Sequence, residues 1–271
     1  MKKIILIVIF ILGFGLVLYP IISNMFATTA YQVKIKGYDE TIEKMDKKSL
    51  NEEKNKVNKH NKELAKSDLN FVDPFSKSDS DEYARKTSYY NALNIGEVIG
   101  SVEIPKINIK IPIYHGTSEE VLSKGAGHLE NSSLPSTELG THSVITAHRG
   151  LPTSKLFRNL NDIKTGDEFY VKVLDEVIAY KVDNIDKVLP SDTDWITIEE
   201  GLNKMTLLTC DPYMINTHRL LVTGHKVPYV ANEETSTNSN IVYYEIAAVL
   251  VLLLFIICVI IYYKKNKSIA Q

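Results

Sequence analysis

Two long apolar runs near the ends of the chain constrain everything between them. Ile4 to Ile22 is almost wholly apolar, and Tyr243 to Tyr263 is interrupted only by Glu245. Each is close to the roughly 20 residues that a helix needs to cross a bilayer core. Lys2 and Lys3 precede the first run, and Lys264, Lys265 and Lys267 follow the second. Positive flanks stay in the cytoplasm, so a two-pass topology is expected, with both termini inside and the residues from about 24 to 240 outside. A cleaved leader is the alternative for the first run. The small residues after it, Ala27-Thr28-Thr29-Ala30, fit a cleavage site poorly, and the ectodomain would lie outside in either case.

This topology gives meaning to the cysteines. There are two, Cys210 in the ectodomain and Cys258 within the second apolar run, so they cannot pair with each other. A single unpaired thiol outside the membrane is either a buried inert residue or a reactive one. The net charge is −2, with no broad basic excess, which argues against nucleic-acid binding. No HExxH or paired CxxC is present, so neither a metal nor a cofactor is expected.

Between the runs the texture changes twice. Tyr31 to Asp68 is rich in Lys, Glu, Asn and Asp, with a thin apolar seam at Ile42, Met45, Leu50, Val57 and Leu64. It reads as a helix, either packed on a domain flank or, preferred here, solvated near the membrane. Asp73-Pro74 interrupts it as a turn former, and Ser80-Asp81-Glu82 starts another helix ending near Asn94–Gly96. From Gly96 onward there are short β-like runs at 98–104, 107–114, 142–146, 168–173, 177–182, 187–189, 205–210 and 220–227. Gly, Pro, Asn and Asp punctuate them, a pattern that predicts an all-β barrel or sandwich. Ser118–Ser123, Leu156–Asn161 and Thr197–Leu202 are expected to form a helical turn or two each. Ala231–Asn240 is polar and aperiodic and reads as a linker.

The stretch MTLLTCDPYMINTHRLLVT, Met205 to Thr223, carries the chemistry. Two apolar runs flank the turn formers Asp211, Pro212, Asn216 and Thr217, which predicts two antiparallel strands joined by a loop. Pairing them brings Cys210 and Arg219 to one end of a sheet, and a cation beside a thiol favours the nucleophilic thiolate. A thiolate that attacks an amide needs a proton donor for the departing amine. Of the seven histidines, His148 is best placed to be that donor, because it follows the β-branched run in SVITAHRG and precedes Gly150 and Pro152. Arg219 can stabilise an oxyanion or hold the substrate backbone. Asp211, next to Cys210, is expected to point away from the thiol's face, yet near enough to raise its pKa.

TLLTC, TAHRGLP, NTHRLLV, GSVEIPKINIKIPIYHG and GAGHLENSSLP occur in an order that resembles the sortases, and the class C or pilin-type sortases in particular. The resemblance covers nearly the whole ectodomain. It implies an eight-stranded β-barrel of the sortase type, with short helices, an N-terminal helical segment and two transmembrane helices. It also implies Cys210 as nucleophile, His148 as general acid and base, and Arg219 as oxyanion or substrate stabiliser. The second span and the lid-like Asp73-Pro74-Phe75 point to the pilin class. There the resemblance implies a carboxylate at Asp73 near Cys210 and Arg219, and a Phe75 ring over the cleft. The implied activity is cleavage of an LPxTG-like sorting signal between Thr and Gly through a thioacyl intermediate. Transfer to a pilin lysine then polymerises pilin subunits at the membrane of a Gram-positive bacterium. The alternatives are a housekeeping sortase that joins proteins to cell-wall peptide, and a non-catalytic assembly factor that binds sorting signals. The expected division is 1–23 cytoplasmic end and first span, 24–69 helical segment, 70–79 lid, 80–95 helix, 96–230 barrel, 231–242 linker, 243–263 second span and 264–271 cytoplasmic tail.

Overall fold

In the computed structural model, residues 2–66, 73–75 and 87–230 are described. The second apolar run, the linker before it, Cys258 and the segment from Ser80 to Tyr83 lie outside the described residues. Strands begin where the β-branched texture begins: β1 (Gly100–Ile104), β2 (Ile109–His115), β3 (Ala126–His128), β4 (Thr141–Thr146), β5 (Glu168–Val173), β6 (Glu176–Val188), β7 (Asn203–Asp211) and β8 (His218–Val227). They close into one barrel in the order β1-β2-β3-β4-β7-β8-β6-β5. Pairs β2–β3 and β4–β7 are parallel, and the rest are antiparallel. The eight-stranded all-β expectation is met.

Period-2 alternation sorts the side chains of the central strands. Ile145 and Ala147 on β4 and its extension, Met205 and Leu207 on β7, and Leu220 and Val222 on β8 fill the main core. Residues of the opposite parity, Val144, Leu208 and Leu221, form a second apolar cluster with Leu129 and Ile196 on the outer face. Cys210 shares its parity with Leu208, and Arg219 with Leu221, so both turn to the outer face.

Three details depart from the sequence reading. β3 was not expected, because Ala126-Gly127-His128 has no β-branched residue. The parallel approach to β2 leaves no room for one: a Cβ on Gly127 would meet the Gly116 carbonyl oxygen at 2.3 Å. The runs at 177–182 and 187–189 are one strand, β6, because the turn-forming pair Asp183-Asn184 is absorbed as a register shift opposite β8. Thr197–Leu202 is not helical; a single turn closed from Leu202 N–H to the Glu199 carbonyl occupies it. The helical turn at Ser118 is present as α4 (Glu119–Lys124), capped by the Ser118 hydroxyl. At 156–161 the helical part is a 3-10 turn, Leu160–Asp162.

Three further helices precede the barrel: α1 (Lys2–Lys44), α2 (Lys47–Leu64) and α3 (Thr87–Asn91). α1 is long and apolar enough at its start to cross a membrane, and Ile9, Phe10, Leu12, Leu16 and Val17 are exposed there. Its distal half docks through Tyr31, Ile35, Tyr38 and Ile42, all buried at helical spacing. The Tyr38 hydroxyl donates to the Ile99 carbonyl at 3.0 Å and accepts from Leu174 N–H at 2.8 Å. Asp46 caps α2 by accepting from Ser49 N–H. α2 buries Glu53, Val57, His60, Asn61 and Leu64, which corrects the preferred reading of a solvated helix. A seam too thin for a coiled coil is enough when the partner is a barrel flank and buried polar residues complete it.

Asn61 is the clearest case. Its amide donates to the Leu134 carbonyl at 2.9 Å and accepts from Leu134 N–H at 2.8 Å, as a neighbouring strand would. Asn61→Ala is expected to lower stability by about 2 kcal/mol or more, because two buried backbone groups lose their partners; denaturant titration of the folded chain measures it. At the preceding residue, the His60 and Ser88 side chains meet at 3.1 Å, which ties the end of α2 to the start of α3. Tyr89, on α3, holds Gly116 N–H and the His128 ring and carbonyl through its hydroxyl.

Candidate active site

β7 and β8 pair with Cys210 directly opposite Arg219, so the antiparallel reading of the TLLTC stretch holds. On the other side of β7, the parallel register with β4 ends at Thr146 opposite Leu208. His148 lies two residues past Thr146 and Cys210 two past Leu208, so the two reach the same end of the sheet. Cys210 is buried at 6% exposure, whereas the His148 side chain is 19% exposed.

Arg219 is held from several directions. Its Nε and Nη2 donate to the two carboxylate oxygens of Asp73 at 2.7 and 2.6 Å, a bidentate pair. Nη1 donates to the Asn216 and His218 carbonyls, both at 3.1 Å. The Phe75 ring lies 5.2 Å from the guanidinium carbon and 5.6 Å, centroid to centroid, from the His148 ring. Phe75 also packs against the outer-face apolar cluster. Asp73, Pro74 and Phe75 therefore sit over the Cys210 end of the sheet in this structure.

This packing sets the state of the thiol. Burial pushes Cys210 up to about 11; Asp73 pushes the same way, while Arg219 and Arg149 oppose them. At neutral pH the thiol is therefore protonated. The carboxylate responsible is Asp73, not Asp211 as the sequence suggested. Asp211 does turn to the other parity, where it is buried and ion-paired with Arg149 and with Lys187. Burial works against its ionised form, but Lys187 and Arg149 hold its carboxyl below the usual carboxylate range.

The other histidines have different occupations. His142 bonds the Thr197 carbonyl and the Thr206 hydroxyl, and burial lowers it to about 4. His128, fully buried beside Tyr89, is lowered to about 3 by desolvation. His115 meets the Ala92 carbonyl, His225 pairs with Asp183, and His218 meets the Thr217 hydroxyl. Sequence reasoning passed over Glu119, whose Oε1 lies 3.5 Å from His148 Nε2. Its position in the first turn of α4 is legible, but no spacing links 119 to 148. It also passed over Arg149, although the residue stands within the TAHRG string.

A family model for the sortase domain matches residues 102–227, a span that holds Cys210, His148 and Arg219. The chain is 49% identical to Streptococcus pneumoniae Sortase C, with a TM-score of 0.65, covering 73% of this chain and 98% of that one. The chain belongs to the sortase family. For Streptococcus agalactiae Sortase C1 the identity is 42% and the TM-score 0.68, over 76% of this sortase and 100% of the other. A curated relative, Sortase D of Bacillus subtilis, is 30% identical over 51% of this chain and 66% of its own length. Curated relatives named Sortase A are matched over 51% and 57% of their lengths. Sortases are cysteine transpeptidases, and the solved relatives named here are of class C, the pilin-type sortases.

Proposed function

We propose that this chain is a membrane-anchored pilin sortase held in a closed state by Asp73 and Phe75. The observation that carries the reading is the facing pair Cys210 and Arg219, with His148 at the end of the adjoining strand and Asp73 occupying the guanidinium. The Asp73 carboxylate stands where a developing oxyanion or a substrate carbonyl would bind. When the 73–75 segment leaves, Arg219 is freed and the thiol loses both its apolar cover and a nearby negative charge.

Cys210 thiolate then attacks the Thr carbonyl carbon of an LPxTG-like signal. The C–N bond to Gly breaks, His148 gives its proton to the departing amine, and a thioester forms. A pilin lysine amine attacks that thioester, His148 takes the proton, and the thiolate departs as the isopeptide bond forms. The thioester conserves the energy of the cleaved peptide bond, which suits a site outside the cell, away from ATP. The exposed apolar start of α1 supports membrane attachment, with the barrel on the extracytoplasmic side. The pneumococcal relative is described in terms of pilin substrate specificity, which supports a pilin lysine as acceptor over a wall-peptide amine.

The test uses the full chain in detergent micelles, with a sorting-signal peptide and two competing acceptors. The expected product joins the peptide, truncated after Thr, to the pilin lysine. Preference for a wall-peptide amine would make this a housekeeping enzyme. Absence of a thioester, even with Asp73 and Phe75 replaced, would favour a non-catalytic assembly factor.

A further inference from the structure

His148 and Cys210 are each followed by a buried charge, and those two charges are joined. Arg149 Nη1 pairs with Asp211 Oδ1, and the two side chains are 7% and 6% exposed. Where the alternation of β4 and β7 continues, 148 and 210 turn to the outer face, while 149 and 211 turn together to the opposite side, at the barrel rim. Arg149 Nη1 also reaches the Cys210 carbonyl at 3.4 Å, and its Nε donates to the Arg158 carbonyl at 3.2 Å. Lys187, from β6, meets the second Asp211 oxygen at 3.0 Å.

The pair lies where the backbone ladder stops holding the strands. The β4–β7 register ends at Thr146 and Leu208. Past it, Ala147 N–H reaches the Leu208 carbonyl at 3.2 Å, and the Thr209 hydroxyl donates to the Ala147 carbonyl at 2.7 Å. The loops beyond are interlocked. Phe157 N–H returns to the His148 carbonyl, and Arg158 lies over the Tyr213 ring. At Gly150 a Cβ would stand 3.1 Å from Met214 Sδ.

We infer that Arg149 and Asp211 are positioning residues, a buried ionic clasp that fixes His148 against Cys210 beyond the end of the β4–β7 ladder. The inference rests on the transpeptidase reading for the roles of His148 and Cys210. Asp211 contributes the anion of the clasp, and with Arg149 and Lys187 on it, it adds no unbalanced negative charge beside the thiol. Removing Asp211 leaves the Arg149 charge buried and uncompensated, removing Arg149 leaves Asp211 with Lys187 alone, and either change allows the two chain ends to shift relative to each other. A displacement of about 1 Å between reacting groups costs on the order of 100-fold in rate.

The experiment places Asp211→Asn, Arg149→Lys and the double variant in the full chain carrying Asp73→Ala/Phe75→Ala, in detergent micelles. Thioester formation with an LPxTG-type peptide is followed by intact mass and normalised to alkylatable Cys210. The pH profile of Cys210 alkylation is recorded beside that of His148→Ala in the same background. The clasp requires Asp211→Asn to slow acylation about 10- to 100-fold at unchanged peptide half-saturation. Its alkylation profile should approach that of His148→Ala, Arg149→Lys should retain part of the rate, and the double variant should be no slower than the worse single. Lowered thermal stability with an unchanged normalised rate and alkylation profile would overturn the inference and leave a purely structural ion pair. Where Asp211→Asn does not fold, Arg149→Lys carries the same comparison. If the parent background forms no thioester, the transpeptidase reading fails, while the alkylation profiles still decide whether the clasp couples His148 to Cys210.

Discussion

Cys210→Ala is expected to abolish both the peptide adduct and the transferred product. Cys210 is the free cysteine among the described residues, and the chain's other thiol, Cys258, belongs to the apolar run 243–263. The neighbouring hydroxyl, Thr209, does not stand in for it, because it has the opposite parity and donates to the Ala147 carbonyl. Losing the nucleophile removes the covalent route altogether, an effect that in cysteine- and serine-type sites is about 10⁴-fold or more. The measurement is the intact mass of the chain after incubation with a sorting-signal peptide, with a gain equal to the peptide truncated after Thr in the parent only. Substantial product from Cys210→Ala would sink the mechanism.

Asp73→Ala/Phe75→Ala is expected to raise the rate of Cys210 alkylation at neutral pH by roughly 100-fold from ionisation alone. The thiol at about 11 owes its position first to burial, with Asp73 pushing the same way and Arg219 opposing. Loss of the carboxylate and of the ring cover removes one nearby negative charge and part of the burial that keep it protonated. A return toward its ordinary range multiplies the thiolate fraction by on the order of 10². Arg219, released from two charge-assisted bonds, then favours the thiolate without opposition. Easier access of the reagent adds to the gain. Timed alkylation with mass readout measures it, and equal rates in parent and variant would remove Asp73 and Phe75 from any gating role.

The barrel and the facing of Cys210 and Arg219 were legible because both rest on local signals. β-branched runs mark strands, and turn formers at 211–217 fix which strands pair and in what sense. What escaped the sequence depends on contacts that no local signal carries. β3 is three residues without a β-branched side chain, admitted only because Gly127 allows the Gly116 carbonyl to approach. The α2 seam reads as weak by itself and is completed by Asn61 and Glu53, polar residues whose partners are backbone groups of 134 and 93. Asp211 was legible as a charge beside Cys210, but its consequence reverses because Arg149 and Lys187 hold it. The carboxylate that does disturb the thiol lies 137 positions upstream of it, and only tertiary structure could bring it there.

The bond between His60 and Ser88 has a consequence for affinity. It ties together the two ends of the segment that carries Asp73, so on the proposed reading Asp73 is an internal ligand for Arg219 that cannot diffuse away. Such a tethered ligand acts at a local concentration that is commonly in the millimolar range. A sorting signal must displace it at every turnover, and its apparent dissociation constant is raised in inverse proportion to the fraction of chains that are open. Affinity for substrate is therefore adjustable from the tether, through residues that never touch the peptide.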